Sequence, residues 1–199
     1  DVHRNFTGNR RLLSKNSLVA IKFALSQLGE AIKEIKNSSM IKAMNLELER
    51  SAITDQLTGI YNRMGLDKIL KGDIGNTGTV IYMDIDNFKK YNDTYGHSTG
   101  DTVLKGFANI LKENVAGIGY AVRYGGDEFL AIIPKRDQLY CENIAKNIQN
   151  QLRDDYNLRT AVDGNEITSS MGIATYEEAT WNGFEEALRQ ADKALYKVK

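Results

Sequence analysis

Two short runs rich in β-branched and aromatic residues, 120–124 and 129–133, are separated only by Gly125-Gly126-Asp127-Glu128. Each run reads as a strand and the tetrad between them as a hairpin tip, so any sheet in this chain is built outward from that hairpin. The glycines are expected to supply positive φ and to leave room for a bulky anion near the backbone. Two consecutive carboxylates repel each other and make poor turn filler unless a cation or proton sits between them. On the tetrad alone, an exposed acidic hairpin is the simpler reading.

A second acidic element changes the balance. Residues 79–83 form an apolar run that ends abruptly in Asp84-Ile85-Asp86. Such a run reads as a buried strand, and ligand sites tend to form where these strands end. Two strands of one sheet, each ending in carboxylates, could bring Asp84 and Asp127 into one metal's coordination sphere. Hard oxygen donors suit Mg²⁺, which uses one or two carboxylates together with substrate phosphates. With His3 and His97 the only histidines and Cys141 the only cysteine, a zinc site is disfavoured. Phosphoryl or nucleotidyl transfer is favoured on chemistry alone.

Charge sets the partners. Lysine plus arginine and aspartate plus glutamate each number 26, for a formal net charge of zero. No global field draws the chain to nucleic acid or to a membrane surface. Cys141 cannot form an intrachain disulfide and lies on the apolar face Cys141, Ile144, Ala145, Ile148, Leu152, as a buried thiol does. No apolar run reaches the roughly 18 residues a membrane helix needs. The chain starts at Asp1 without a methionine, and a longer protein is expected, with a sensor or membrane segment in the remainder. The catalytic part is expected in the cytoplasm.

Along the chain, Leu18, Ile21, Leu25, Leu28, Ile32 and Ile35 recur at spacings of three and four, a heptad seam. The flanking e and g positions hold Lys22, Ala24, Gly29, Ala31 and Lys36, a poor set for salt-bridged zipper specificity. The seam suits pairing with a second chain or packing on this chain's own next helix, and both stay open. Asn37-Ser38-Ser39 is expected to interrupt the phase and cap a second helix running to about residue 52. Asn62 is a plausible N-cap for a helix to about residue 70. Further helices are expected over 99–112, 138–153 and a closing stripe of Phe184, Ala187, Leu188, Ala191 and Leu195. Residues 158–162 and 166–174 read as a second hairpin around Asp163-Gly164. Strands and helices interleave without a strict βαβ rhythm, which predicts an α+β fold.

The run from Arg123 through Gly125-Gly126-Asp127-Glu128 to Phe129, with Asp84-Ile85-Asp86-Asn87-Phe88-Lys89 upstream, resembles the GGDEF family of diguanylate cyclases. Asp55 to Arg63, Ser170 to Ala174 and Ala191 to Lys199 also match motifs of that family, in the same order. The resemblance covers residues 51–199, leaving 1–50 as a helical input or linker segment. It implies a mainly antiparallel five-stranded sheet flanked by helices, related to the polymerase palm. It implies condensation of two GTP into cyclic di-GMP by a homodimer, with Mg²⁺ or Mn²⁺ as cofactor. A catalytically inactive module that binds GTP or cyclic di-GMP is the alternative.

The resemblance also assigns roles. Asp84, Asp127 and the main-chain carbonyl of Ile85 would hold metal, with Asp127 accepting the 3′-hydroxyl proton and Glu128 completing the shell. Lys89 would stabilise developing charge, although spacing alone would not single it out, and Lys199 would contact phosphate. Gly125 and Gly126 would leave space for the substrate. Asn92 and Asp101 match the guanine-reading residues, since an aspartate accepting from N1–H and the 2-amino group rejects adenine. His97 would make a local hydrogen bond or a water-mediated nucleotide contact. Asp86 is read as turning away into a helix cap. Asp55 and Arg63 are expected to pair with each other in the segment that joins input helix to catalytic domain. The inhibitory Arg-x-x-Asp motif of many members is replaced by Ala116-Gly117-Ile118-Gly119, so no such product-binding site is expected.

Overall fold

A computed structural model describes residues 15–72, 74–177 and 181–198. The chain divides into two compact units, residues 1–48 and 49–199. The described part of the first is helical throughout, belonging to α1 (Lys15–Ile53). The expected break at Asn37-Ser38-Ser39 does not occur. Ser39 Oγ donates instead to the Lys36 carbonyl at 2.8 Å, which satisfies the hydroxyl inside the helix and removes its competition with the backbone. Leu18, Ile21, Leu25, Leu28, Ile32, Ile35, Ile41, Met44 and Leu48 of this unit are all exposed.

The second unit contains α2 (Arg63–Lys71), β1 (Gly78–Ile85), α3 (Phe88–Tyr95), α4 (His97–Asn114), β2 (Tyr120–Arg123), β3 (Glu128–Pro134), α5 (Gln138–Asp154), α6 (Tyr156–Ala161), β4 (Ser169–Tyr176) and α7 (Trp181–Val198). Among the described residues the sheet has four strands, in the order β2-β3-β1-β4, and every pairing is antiparallel. The resemblance had implied five. Residues 158–162, expected as a strand, lie mostly in α6. Asp155 caps that helix by accepting from the Leu158 N–H at 2.9 Å. Leu158 is buried against α4, where Gly106 has no side chain to block it; a Cβ there would stand 3.0 Å from Leu158 Cγ. A local cap and a tertiary socket together outweigh a short β-like composition.

β1 occupies the middle of the sheet and is covered on both faces, which accounts for its unbroken apolar run. Ile81, Met83 and Ile85 join Phe129, Ala131 and Ile133 beneath α4 and α5. Val80 and Tyr82 join Leu130 and Ile132 on the other face, with α2 and α7. Phe107 and Phe129 pack at 4.5 Å between ring centroids, securing the base of the β2–β3 hairpin to α4. Cys141 is buried as expected, and burial pushes its thiol up, away from nucleophilic use. Asn62 caps α2 through a 2.9 Å bond from the Gly65 N–H. Among the described residues no helix is long and apolar enough to cross a membrane.

Candidate active site at the β1 and β3 ends

The antiparallel register sets Asp84 directly opposite Glu128. Side chains opposite each other share a face of the sheet, with Cβ atoms about 4.5–5.5 Å apart, and like charges in that position are ordinarily destabilising. Asp127 precedes Glu128 at the hairpin tip, where its carbonyl accepts from the Ile85 N–H at 3.3 Å. The backbones of Asp84, Ile85, Asp127 and Glu128 are therefore neighbours where β1 leaves the sheet. Among the described residues no cluster of three or more His, Cys, Asp and Glu side chains forms a ready metal cage. The donor set instead suits a hard cation that takes its other oxygens from water and a phosphate ligand.

The tip is pinned from below. Arg123 donates from Nε and Nη2 to the Gly126 carbonyl, at 3.1 and 2.7 Å. Its Nη1 reaches both oxygens of Asp55, at 3.0 and 3.1 Å. Asp55 also accepts from the backbone N–H and hydroxyl of Thr58, at 2.9 and 2.6 Å. Burial works against the Asp55 charge, yet the Thr58 and Arg123 hydrogen bonds and the guanidinium charge outweigh it. They hold the carboxyl below its ordinary range.

Asp55 thus pairs with Arg123 and not with Arg63. The reason is edge pairing. Tyr61 docks on β2, its N–H donating to the Ala121 carbonyl at 3.1 Å and its carbonyl accepting from the Arg123 N–H at 2.7 Å. That contact places Arg123 beside Asp55, while Arg63 begins α2 with its guanidinium 5.1 Å from the Tyr124 ring centroid.

The glycines work differently from expectation. Neither Gly125 nor Gly126 has positive φ. At Gly125 the requirement is space: a Cβ there would collide with Glu128 Oε2 and stand 3.2 Å from its Cδ. At Gly126 a Cβ would meet nothing within 4 Å. The other Glu128 oxygen, Oε1, accepts from the Tyr82 hydroxyl at 3.0 Å. Burial, followed by the Glu128 charge and this bond, raises the Tyr82 phenol well above its ordinary range, so it stays a donor.

Asp86 does not cap a helix. Its two oxygens accept from Thr168 and Ser170 hydroxyls, both at 2.6 Å, tying the end of β1 to β4. The turn into α3 is made by Asn87 at φ 57°, without a side-chain cap.

The remaining candidates stand on α3 and α4. Asn92 packs its side chain where a Cβ on Gly100 would otherwise lie, bringing it next to the helical turn that carries Asp101. Gly96, at φ 84°, makes the sharp corner between the two helices. Asp101 is exposed, as are Lys89 in the first turn of α3 and His97 at the start of α4. Lys199 lies outside the described residues. Ala116 to Gly119 form the turn between α4 and β2, with Gly117 at φ 72° and no ionisable side chain. Tyr82, Tyr124 and Arg123 were missed as site residues. Tyr82 was within reach of period-two reasoning, because it lies two positions before Asp84 on the same face.

Known proteins resemble this chain in sequence and in fold. A family profile described as "Diguanylate cyclase, GGDEF domain" matches residues 52–199. The diguanylate cyclase DosC of Escherichia coli strain K12 is 32% identical over 201 residues, covering 96% of this chain and 42% of DosC. The response regulator PleD of Caulobacter vibrioides is 38% identical over 158 residues, covering 74% of this chain and 34% of PleD. The chain thus spans less than half the length of these two curated relatives. Among solved structures, the coiled coil and GGDEF domain of DgcB from Caulobacter crescentus, in complex with c-di-GMP, superposes with a TM-score of 0.73. It is 28% identical, covering 87% of this chain and 92% of that one.

Proposed function

We propose a function for a chain that belongs to the GGDEF-domain family of diguanylate cyclases: it condenses two GTP into cyclic di-GMP, releasing two pyrophosphates, as the output module of a larger protein. The observation that carries this reading is the cross-strand pair Asp84–Glu128 with Asp127 beside it at the hairpin tip. An arrangement that costs stability in the free protein suits a site that receives cationic charge with its substrate.

Asp84, Asp127 and the Ile85 carbonyl would hold Mg²⁺ or Mn²⁺, which when bound supplies charge neutralisation at a triphosphate. The chain's own groups do the rest. Asn92 and Asp101 read guanine, the carboxylate accepting from N1–H and the 2-amino group. Asp127 takes the proton of the attacking 3′-hydroxyl. Each 3′-oxygen then forms a bond to the other nucleotide's α-phosphorus as that phosphorus loses pyrophosphate. Lys89 and Lys199 offset the charge that develops on the phosphates.

One domain offers one guanine-reading pair and one carboxylate set, hence room for one GTP. Two copies must face each other across a two-fold axis. The exposed seam of α1 supports pairing with a second copy, and the coiled coil named for DgcB shows a relative with such an element. Output regulated by an upstream region fits the partial coverage of the longer relatives.

The test is to incubate the purified chain with GTP and Mg²⁺ and separate the nucleotides. Cyclic di-GMP is the expected product. Asp84→Asn and Asp127→Asn are each expected to lower turnover by about 10³-fold without unfolding the domain. Binding of GTP or cyclic di-GMP with no turnover would instead identify a regulatory module.

A further inference from the structure

The Glu128 carboxylate sits opposite Asp84 on a strand end and carries three rotatable bonds. Left to itself it would swing outward, since both the repulsion and the side-chain entropy favour that. In the structure Oε1 accepts from the Tyr82 hydroxyl at 3.0 Å, and Oε2 lies over Gly125, where a Cβ would collide with it.

The donating residue is itself braced. Tyr82 is 6% exposed, and its bond to Glu128 is part-buried. Its ring meets Tyr124 edge-on, with centroids 5.9 Å apart and planes at 73°. Tyr124 in turn carries the Arg63 guanidinium over its face. Arg63, Tyr124, Tyr82 and Glu128 form one continuous column from the first residue of α2 to the cross-strand pair Asp84–Glu128. A phenylalanine at position 82 would keep the ring in the core and make no bond to Glu128.

We propose that Tyr82 is a positioning residue of this site: its hydroxyl fixes the Glu128 carboxylate in the pose it uses beside Asp84 and Asp127, an inference that rests on the cyclase reading above. Tyr82 acts through Glu128 and does not itself touch the reacting atoms. Its bond is charge-assisted and partly buried, so removing the hydroxyl alone shifts the orientation of a group that must be held within about half an ångström to work.

Two measurements on Tyr82→Phe test this. The first is kcat and KM for GTP, alone and combined with Glu128→Gln. The second is thermal stabilisation by Mg²⁺ or Mn²⁺ in the presence of a non-hydrolysable GTP analogue, which needs no turnover. Tyr82→Phe is expected to lower kcat about ten-fold at nearly unchanged KM and to raise the divalent midpoint. In the Glu128→Gln background it should cost nothing further, whereas a purely structural tyrosine would add its loss in both backgrounds. Tyr124→Leu removes the brace and leaves the hydroxyl, and should move the divalent midpoint in the same direction by less. Wild-type kcat and midpoint in Tyr82→Phe, or additive losses in the double variant, would overturn the proposal. If the wild-type chain turns over no GTP, the cyclase reading fails, and the divalent midpoints of the two tyrosine variants still decide whether Tyr82 positions Glu128.

Discussion

Replacing each hairpin glycine by alanine separates two explanations of why glycine stands there. If the glycines were needed for backbone conformation, both substitutions would be costly. Neither residue has positive φ, so backbone strain predicts little cost at either. Space predicts a sharp difference. At Gly126 the new methyl meets nothing within 4 Å, and the stiffer unfolded chain should stabilise the fold by about 0.4–1 kcal/mol. At Gly125 the methyl overlaps Glu128 Oε2, and the three atoms nearest to it all belong to the Glu128 side chain. Moving that carboxylate by about 1 Å breaks its 3.0 Å bond from Tyr82, a charge-assisted bond worth about 1.5–3 kcal/mol, part of which water recovers. The net loss of stability should be about 1–2 kcal/mol. The loss of turnover should be larger, because a misplacement of about 1 Å at a reacting centre can cost roughly 10²-fold. Urea denaturation gives the stability difference, and cyclic di-GMP production under saturating GTP gives the rate. Equal destabilisation by the two alanines, or wild-type turnover in Gly125→Ala, would refute the spatial explanation.

Two further outcomes follow from groups outside the cluster. Asp55→Asn removes the charge that faces Arg123 and should destabilise the domain by about 1–2 kcal/mol at pH 7. Because folding depresses the Asp55 pKa, the wild-type advantage is complete above about pH 4, near its ordinary value of 3.8, and fades as pH falls further. Denaturant melts of the two proteins should converge in acid, and a gap independent of pH would exclude the ion pair as its source. Leu25→Glu with Leu28→Glu places charge on the α1 seam and should make specific activity climb steeply with protein concentration. Full activity at nanomolar concentration would mean that the seam has no part in pairing.

The elements that were legible in advance are those specified by neighbours in sequence. The hairpin followed from two β-rich runs four residues apart, and observed strands Tyr120–Arg123 and Glu128–Pro134 lie where those runs are. The α2 cap at Asn62 and the buried stripes of α4, α5 and α7 followed from side-chain chemistry and helical period. Where local signals were weak they misled. Asn37-Ser38-Ser39 suggested a break, and helical continuity over 39 residues absorbed it. Residues 158–162 suggested a strand because nothing nearby announces that Leu158 has a socket at Gly106.

The residue types of the candidate site, the acids at 84, 127 and 128 and the polar pair at 92 and 101, can be read from the chain without any coordinates. Which of them touch is a property of the sheet. The bond from Tyr82 to Glu128 spans 46 positions and the Arg123–Asp55 pair spans 68. Periodicity states which face a side chain occupies, and it is silent on which strand lies alongside. Only the placement of β1 between β3 and β4, and of Tyr61 on the edge of β2, decided that Asp84 would face Glu128 and that Arg123, not Arg63, would hold Asp55. Those contacts form once burial of both sheet faces has fixed the register, because a slip of one residue would turn every apolar side chain of β1 to the opposite face.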